Sequence, residues 1–531
     1  MDGHTHTHTT ALLDLPDELL DQILAELKWG APTAPFALDS LQFYENLTQN
    51  TASIQLVRLT CRRLASRASP LLLPVASVSI SDPSSVDRLE EIARHGIFAP
   101  YVKAVHVCFD FYEADPAADP RSLAGYLLHI WRDSGYLVGP VGCVWAQTFS
   151  DWHAFCCGME GIQQEDKQEE SQGSMKLLSR LRLEYRRRYE AQQRLASSVV
   201  QRIANAMALM PRATRLVLDD GPDTPRVGDM TTVTAPFTQG DLNWLVPPMR
   251  WATAFKLDRG SPPIEALFSL PTAVHKAGIK LTGLRIHRLQ LPDKFPLWRP
   301  AADQHWKWSD PPLPQTAELR EACRSLRVFE FTPGYEWDRW SPGNLMVFKW
   351  PGDETSWTFS MGLYEVFEYI LTASRDLTHV RASLQVIHAG VSYNLSRKNP
   401  GSWPWPQIRV FHLERGFLDT KTLPRFLSAT SGTLTELHLD GMYLCSSDFR
   451  GFSWSWLLDQ LREHYRDTGG GLTIRLRRPR GGEFVRLGLP EADAVYLGTL
   501  FDSVDDDGLS AVDRFIQGMS DCNPMVEAGR T

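Results

Sequence analysis

The sequence has few cysteines and no long apolar run. Eight cysteines are spread over 531 residues, and only Cys156 and Cys157 lie close together, so reduced thiols are expected rather than a disulfide scaffold. No apolar stretch approaches the roughly 20 residues that cross a bilayer. Residues 1–10 lack the pattern of a secretory signal. We therefore expect a soluble cytoplasmic or nuclear protein without a membrane partner.

An excess of positive charge is also missing. The chain has 55 Lys and Arg residues against 63 Asp and Glu residues, which gives a formal net charge of −8. Proteins that bind nucleic acid usually present a basic surface to the phosphates. This charge balance therefore argues against a nucleic-acid partner.

Motifs for catalysis and metal binding are not found either. The sequence contains no G-x-S-x-G elbow, Walker A loop or H-E-x-x-H pair. Cys143, His153, Cys156 and Cys157 come nearest to a metal cluster, but their spacing differs from that of structural zinc sites. The acidic run at 502–507 lacks the carboxylates that begin and end a calcium loop. We expect no cofactor, no metal and no catalytic residue.

Residues 12–29 carry the clearest helical signal. Pro16 suits the first turn of a helix, and Asp17 and Glu18 place negative charge at the positive end of the helix dipole. The apolar residues that follow at i, i+3, i+4 and i+7 form one helix face. They are Leu20, Ile23, Leu24 and Leu27.

A second helix is predicted from about residue 53 to residue 68. Its apolar side includes Leu56 and Leu64, its opposite side carries four arginines, and Pro70 ends it. Domains near 60 residues bury only about 60% of their unfolded surface, so two such helices make too small a core. The segment 12–73, which we call the N-terminal hook, is therefore expected to need a partner.

The hook resembles the F-box motif in the order and type of its residues. The matching stretches read Leu15-Pro16-Asp17-Glu18-Leu19-Leu20, then LVRLTCRRL at 56–64, then Ser69-Pro70-Leu71-Leu72. The stretch 30–51 departs from the motif as an insertion between its halves. The resemblance implies that the hook binds the Skp adaptor of a cullin-RING ubiquitin ligase. The residues that it assigns to the adaptor groove and the small core of the hook are Leu15, Pro16, Leu19, Leu20, Ile23, Leu24, Leu59, Cys61, Leu64 and Leu71.

Beyond residue 75 an apolar pattern recurs at positions i, i+3 and i+5. This pattern is the strand signature of leucine-rich repeats. Its most regular unit is LTELHLDG at 434–441. The instances are 75/78/80, 102/105/107, 213/216/218, 281/284/286, 323/326/328, 377/380/382, 405/408/410, 434/437/439 and, more weakly, 469/472/474.

The triplets are unevenly spaced, and helices are predicted between several of them. These helices lie at 175–210, 263–276, 361–374 and 454–465. Buried strands of another α/β fold would produce the same triplets, and this alternative stays open. The layout is similar to that of fungal-type F-box proteins with divergent leucine-rich repeats.

We therefore predict an α/β fold in which a small all-α hook precedes an irregular leucine-rich-repeat-like solenoid. The hook at 12–73 is the first predicted domain, and the solenoid body at 75–480 is the second. The predicted remainder is a disordered tail at 1–11, a polar insertion near 163–174, and a C-terminal cap or tail at 481–531.

Two segments of the body are candidate recognition surfaces. The helix after the polar insertion is rich in arginine between residues 180 and 194, which predicts either a solvated face or a site for an acidic or phosphorylated degron. The stretches 335–359 and 402–406 are rich in tryptophan. Such residues either pack beneath a long loop or form a binding surface.

Together these features predict a non-catalytic substrate-recognition adaptor of an SCF-type ubiquitin ligase, with an unidentified protein as its target. The first alternative is an F-box and leucine-rich-repeat protein that mediates interactions outside a ligase. The second is a hydrolase or metalloenzyme within the body, which would gather titratable groups in a deep pocket.

Overall fold

The structure of the protein is a computed structural model that describes most of the chain. Its helices and parallel strands confirm the predicted α/β class. Predictions for residues 1–11, 30–50, 335–359 and 482–498 lie outside the described residues. The described residues are 14–29, 51–133, 140–158, 168–220, 245–256, 262–289, 314–332, 370–383, 405–414, 417–419, 422–445, 453–469, 471–481, 499–503 and 509–528.

Three helices form the described part of the hook: α1 (Asp17–Trp29), α2 (Thr51–Arg58) and α3 (Arg62–Ala68). The predicted single helix at 53–68 is wrong, because the chain turns between α2 and α3. The Thr60 hydroxyl donates to the Val57 carbonyl at 2.7 Å, and the backbone of Cys61 is extended (φ −158°, ψ 165°). A threonine side chain that bonds the preceding backbone competes with helix continuation.

Nine parallel strands form the main sheet. Their order in the sheet follows the chain, so each strand pairs only with its neighbours along the sequence of this sheet. The strands are β1 (Val75–Ser79), β2 (Ala104–Cys108), β3 (Arg215–Asp219), β4 (Gly283–His287), β5 (Val328–Thr332), β6 (His379–Ser383), β7 (Val410–Glu414), β9 (Glu436–Asp440) and β11 (Thr473–Arg477).

A second, three-stranded sheet runs beside the last part of the main sheet. Its strands are β8 (Phe417–Asp419), β10 (Tyr443–Cys445) and β12 (Arg480–Gly481), in the order β12-β10-β8 and all parallel. Each follows a strand of the main sheet after a short turn. Gly441 (φ 63°) and Arg478 (φ 47°) make two of these turns in the left-handed region.

One face of the main sheet buries the apolar core. The second and fourth residues of every main-sheet strand are buried, as Leu437 and Leu439 are in β9. The registers align these positions across neighbouring strands, for example Leu218 beside Ile286. Alternation along the strand then places the first, third and fifth residues on the opposite face.

The predicted triplets mark all nine strands of the main sheet, but four of them are out of register. The triplets at 102, 213, 281, 377 and 434 lead directly into strands, with their last two residues at the second and fourth strand positions. Those that begin at 75 and 469 are displaced by two residues, and those that begin at 323 and 405 by three. Cys323 and Trp405 are themselves buried just before a strand, so the apolar signal extends beyond the strand.

Helices cover the apolar face. α4 contacts α9, α9 contacts α11, and α11 contacts α12, which makes a second layer. The predicted helices at 263–276 and 454–465 are confirmed. The body helices are α4 (Pro83–Arg94), α5 (Ala114–Ala118), α6 (Pro120–Asp133), α7 (Pro140–Cys156), α8 (Gln168–Ala196), α9 (Val199–Ala208), α10 (Trp251–Lys256), α11 (Ile264–Lys276), α12 (Pro314–Ala322), α13 (Thr422–Thr430), α14 (Trp454–Asp467), α15 (Ala511–Ile516) and α16 (Pro524–Ala528).

The second half of the predicted polar insertion near 163–174 is helical. Helix α8 already begins at Gln168, and Ser174 is buried, with its hydroxyl donating to Asp151 at 2.7 Å. Glutamate and glutamine are good helix formers, so a polar stretch of this composition continues a helix as readily as it forms a loop.

The C-terminal helices pack against the last strand of the main sheet. Helix α15 contacts β11 and α14, and α16 contacts α14. The Arg477 guanidinium at the end of β11 donates to the buried carboxylate of Asp513 at 2.9 Å and to the Phe501 carbonyl at 2.7 Å. Residues 509–528 therefore pack as a cap rather than a tail.

Substitutions at adjacent positions of β9 test the assignment of the two faces. Leu437→Ala should lower the free energy of unfolding by about 2–5 kcal/mol, because it leaves a cavity in the core. His438→Ala should lower it by less than about 1 kcal/mol, because its side chain lies on the other face. Urea denaturation followed by tryptophan fluorescence measures both. Equal losses would contradict the assigned register.

Candidate functional site

The hook has its own small apolar core. Leu24 of α1, Ile54 of α2 and Ala68 of α3 pack together, with Leu71 against them. Leu20 and Leu64 are also buried. Of the residues assigned to the adaptor groove and hook core together, Leu20, Leu24 and Leu64 therefore hold the hook together and do not offer surface.

Other apolar residues of the hook face outward. Leu19, Ile23 and Leu27 follow one another at i, i+4 and i+8 along α1, and 43%, 41% and 40% of each residue is exposed. Leu56 and Leu59, in and after α2, are 67% and 83% exposed. We call these five residues the apolar strip. Several large apolar residues exposed on two helices that contact each other are typical of an interaction surface.

The remaining predicted contact residues differ in their exposure. Pro16 is exposed, whereas Leu15, Cys61 and Leu71 are half-buried. Sequence reasoning did not assign Leu27 to the adaptor contact, and it placed Leu56 on the buried side of a helix. The continued four-residue spacing from Leu19 through Ile23 is the signal that identifies Leu27.

Ion pairs fasten α1 to α3. Arg63 Nη2 donates to Asp17 Oδ1 at 2.7 Å and to the Leu15 carbonyl at 2.8 Å. Arg67 pairs with Asp17 as well, and its Nη1 donates to Asp21 Oδ2 at 3.1 Å. Because these groups are partly exposed, each pair adds little stability. Their main effect is geometric, since they hold the rotation of α1 that turns the apolar strip outward.

A buried lysine joins the end of α1 to the start of α2. Lys28 has no exposed surface, and its Nζ donates to Thr51 Oγ1 at 2.6 Å. Burial lowers the pKa of Lys28 to about 8. The contact joins the two ends of the predicted insertion, so it holds the two halves of the hook together.

A polar cluster crosses the first strands of the main sheet. Ser77 Oγ lies 3.4 Å from His106 Nδ1, and His106 Nε2 lies 3.2 Å from Asp219 Oδ2. Arg288 donates to both Asp219 oxygens, at 2.9 and 2.8 Å. Burial raises the pKa of Asp219, but the hydrogen bonds from His106 and Arg288 outweigh it and bring the pKa to about 2.

The order of groups in this cluster is similar to that of a Ser-His-Asp relay, but its chemistry differs. Arg288 already neutralises Asp219, which weakens the support that an aspartate gives to a charged imidazole. Burial raises the pKa of the neighbouring Cys108 thiol to about 12, so this thiol is a poor nucleophile. The cluster therefore links β2, β3 and Arg288, the residue after β4.

Three of the residues predicted to come nearest to a metal site, His153, Cys156 and Cys157, do not converge, and the side chain of Cys143 lies outside the described part of the chain. His153 and Cys157 lie one helical turn apart, with Cys157 Sγ 3.9 Å from His153 Nδ1, whereas Cys156 Sγ donates to the Arg121 carbonyl. No group of three or more potential ligands in the described residues is arranged to hold a metal. Within the same residues, no helix is both long and apolar enough to cross a membrane.

The arginines of α8 are largely engaged within the protein. Arg187 and Arg188 both pair with Glu184, at 2.8 and 2.7 Å. Arg186 pairs with Glu190 at 2.8 Å. These contacts give structural roles to three of the six arginines between residues 180 and 194, which favours the solvated or structural face at that part of the helix.

Comparison with known proteins adds no relative. No protein-family model matches the chain, and no curated protein matches it. The function is therefore inferred from the chain's own residues.

The buried Lys28 gives a pH test of the hook. Its pKa is about 8 when folded and about 10.5 when unfolded, so the unfolded state holds more protons between these values. Stability from this group therefore rises as pH increases from 8 towards 10.5. Hydrogen exchange of α1 amides, corrected for the intrinsic rate, should show protection rising with pH in the wild type. Lys28→Met should lack this rise, and parallel profiles would contradict the assignment.

Proposed function

We propose that the protein is the substrate-recognition adaptor of an SCF-type cullin-RING ubiquitin ligase. The N-terminal hook binds the Skp adaptor, and the body binds a target protein. One observation carries the proposal: the F-box-like residues of the hook leave an exposed apolar strip after its own core is complete. The strip contains three of the residues that the motif assigns, namely Leu19, Ile23 and Leu59.

Covering the strip contributes to the binding of a partner. Fully burying one Leu or Ile side chain contributes roughly 1.5–3 kcal/mol, and the strip residues still have 40–83% of their surface to bury, so they supply part of the free energy that a complex needs. The hook's core contributes few residues of its own. A hook of this size therefore gains stability as well as affinity when the strip is covered.

The body is best interpreted as an irregular leucine-rich-repeat-like solenoid. Its support is the order of the parallel strands, which follows the chain from β1 to β11 without a reversal. A doubly wound sheet reverses its order at a switch point. The recurring pair of strands at β7–β8, β9–β10 and β11–β12 also supports repeated units.

In this role the protein forms no covalent bonds itself. Its contribution is positional, because it holds a target so that the target's lysines lie near the ubiquitin-charged enzyme of the ligase. Tethering in this way raises the effective concentration of lysine at the thioester.

Capture of the chain by purified Skp adaptor tests the role of the apolar strip. Leu19→Asp should reduce capture by at least about tenfold, because it would bury an unpaired carboxylate in the apolar contact. Leu209→Asp is the matched control, since Leu209 is an exposed leucine of the body, and it should bind as the wild type does.

Circular dichroism and α1 hydrogen exchange establish that the variant hook stays folded. Unchanged capture of a folded Leu19→Asp variant would contradict the proposal. Capture of Skp without assembly of the cullin would favour an interaction protein that acts outside a ligase.

A further inference from the structure

Six exposed residues of helix α8 lie in one line along its outer side. They follow one another at intervals of four, three, four, three and four residues, which is the heptad spacing of the seam between coiled-coil helices. Each residue of an α-helix adds about 1.5 Å, so the line is about 27 Å long. We call this line the α8 stripe, and its members are Lys176, Arg180, Leu183, Arg187, Glu190 and Arg194.

The α8 stripe is open to solvent. Leu183 is 69% exposed, and so is the side chain of Arg187. The other side of the same helix belongs to the apolar core of the body, as Leu181 and Tyr185 show. Helix α8 contacts α5, α6 and α7, but the stripe stays exposed. The stripe is therefore a helix face that the described elements leave uncovered.

Positive charge predominates on this face. Acidic residues outnumber basic ones in the whole chain, 63 against 55. The exposed residues of α8 reverse this balance, since five of those that the structure describes are basic and one is acidic. The basic residues are Lys176, Arg180, Arg186, Arg187 and Arg194, and the acidic residue is Glu190.

Carboxylates within α8 neutralise only part of the stripe. Arg187 shares the single carboxylate of Glu184 with Arg188, at 2.8 and 2.7 Å. Glu190 pairs with Arg186, at 2.8 Å. Three cations of the stripe form no ion pair within the described part of the chain, namely Lys176, Arg180 and Arg194.

Three carboxylates on elements next to α8 are engaged elsewhere. Asp87 and Glu90 of α4 pair with Arg202 of α9, at 2.6 and 2.7 Å. Asp119, which follows α5, accepts hydrogen bonds from two backbone amides in the first turn of α6. These carboxylates have partners of their own and do not neutralise the stripe, so its positive charge is complementary to an acidic partner.

We infer that the α8 stripe binds an acidic α-helix of the target protein, with carboxylates of that helix on the stripe cations and an apolar side chain on Leu183. The inference rests on the proposed function and names the chemical class of the target segment. The spacing selects a helix, because side chains on one face of a helix repeat at the same intervals as the stripe. The long stems of lysine and arginine add apolar surface to the contact.

Two synthetic peptides test the inference on the full chain. Both have 21 residues and the same content of alanine, glutamate and one leucine. The patterned peptide has its glutamates at heptad spacing on one helix face, with the leucine in their middle, and the scrambled peptide has them spread around the helix. Fluorescence anisotropy measures both dissociation constants. The patterned peptide should bind at least about tenfold more tightly, because only this peptide aligns its carboxylates with the stripe.

Charge reversal on the protein tests the same contact. Single exposed ion pairs contribute little, so the variant combines three substitutions, Lys176→Glu, Arg180→Glu and Arg194→Glu, and should weaken binding of the patterned peptide by at least about tenfold. The matched control combines Lys280→Glu, Arg320→Glu and Arg425→Glu, which make the same change of charge at exposed positions outside α8. This control should bind the patterned peptide as the wild type does.

A single substitution within the stripe should act in the opposite direction. Glu190→Gln removes the one carboxylate of the stripe and releases Arg186, so it should tighten binding of the patterned peptide by about threefold. It needs no reversal of charge, and far-UV circular dichroism shows whether each variant keeps its helices. Weaker or unchanged binding by a folded Glu190→Gln variant would count against the inference.

Equal affinity for the two peptides, or full affinity of the triple stripe variant, would overturn the inference. Tighter binding of a 20-base-pair DNA duplex than of the patterned peptide would overturn it as well, because the stripe would then be a site for phosphates. Skp capture by the triple stripe variant should stay at the wild-type level, which separates failure of the stripe from failure of the hook.

Discussion

The shared burial of alternate apolar side chains holds the nine main-sheet strands in one register. A slip of one residue in any strand would move its apolar pair to the open face and its polar residues into the core. Residues such as Leu216, Phe329 and Leu437 are fully buried, so this slip is costly at each strand. The alignment of Arg381, His412, His438 and Arg475 across β6, β7, β9 and β11 on the opposite face depends on the same constraint, because these residues are adjacent only in this register.

The N-terminal hook differs from the body because its core is too small to bury all of its apolar residues, so several of them stay exposed. Partly exposed ion pairs at Asp17 connect α1 with α3 and so influence which face of α1 is exposed. Weak interactions are sufficient for this purpose, since they select a rotation of α1 and do not have to stabilise it strongly. Different residues of the same helices therefore stabilise the hook and form its exposed apolar strip.

Local sequence patterns predict much of the fold. Which residues are exposed together on a surface depends instead on how the helices and strands pack. Apolar alternation located the strands, but buried residues just before a strand, such as Trp405, displaced several predicted registers. The helix predicted at 53–68 is interrupted near Thr60, whose hydroxyl donates a hydrogen bond to the Val57 carbonyl. The F-box-like motif identifies the apolar residues of the hook, but it does not show which of them are buried in the core and which are exposed. Arg381 and Arg475 lie far apart in the sequence, so no local pattern brings them together.

The packing of α15 on β11 affects the edge of the main sheet. The last strand of a sheet presents unpaired backbone groups that invite another chain to add a strand. Here the last described strand of the main sheet is linked to α15 by an ion pair between the partly exposed Arg477 and the buried Asp513. A chain shortened before this helix would lose this link, so its last described strand would be held less firmly and we expect it to pair more readily with another chain.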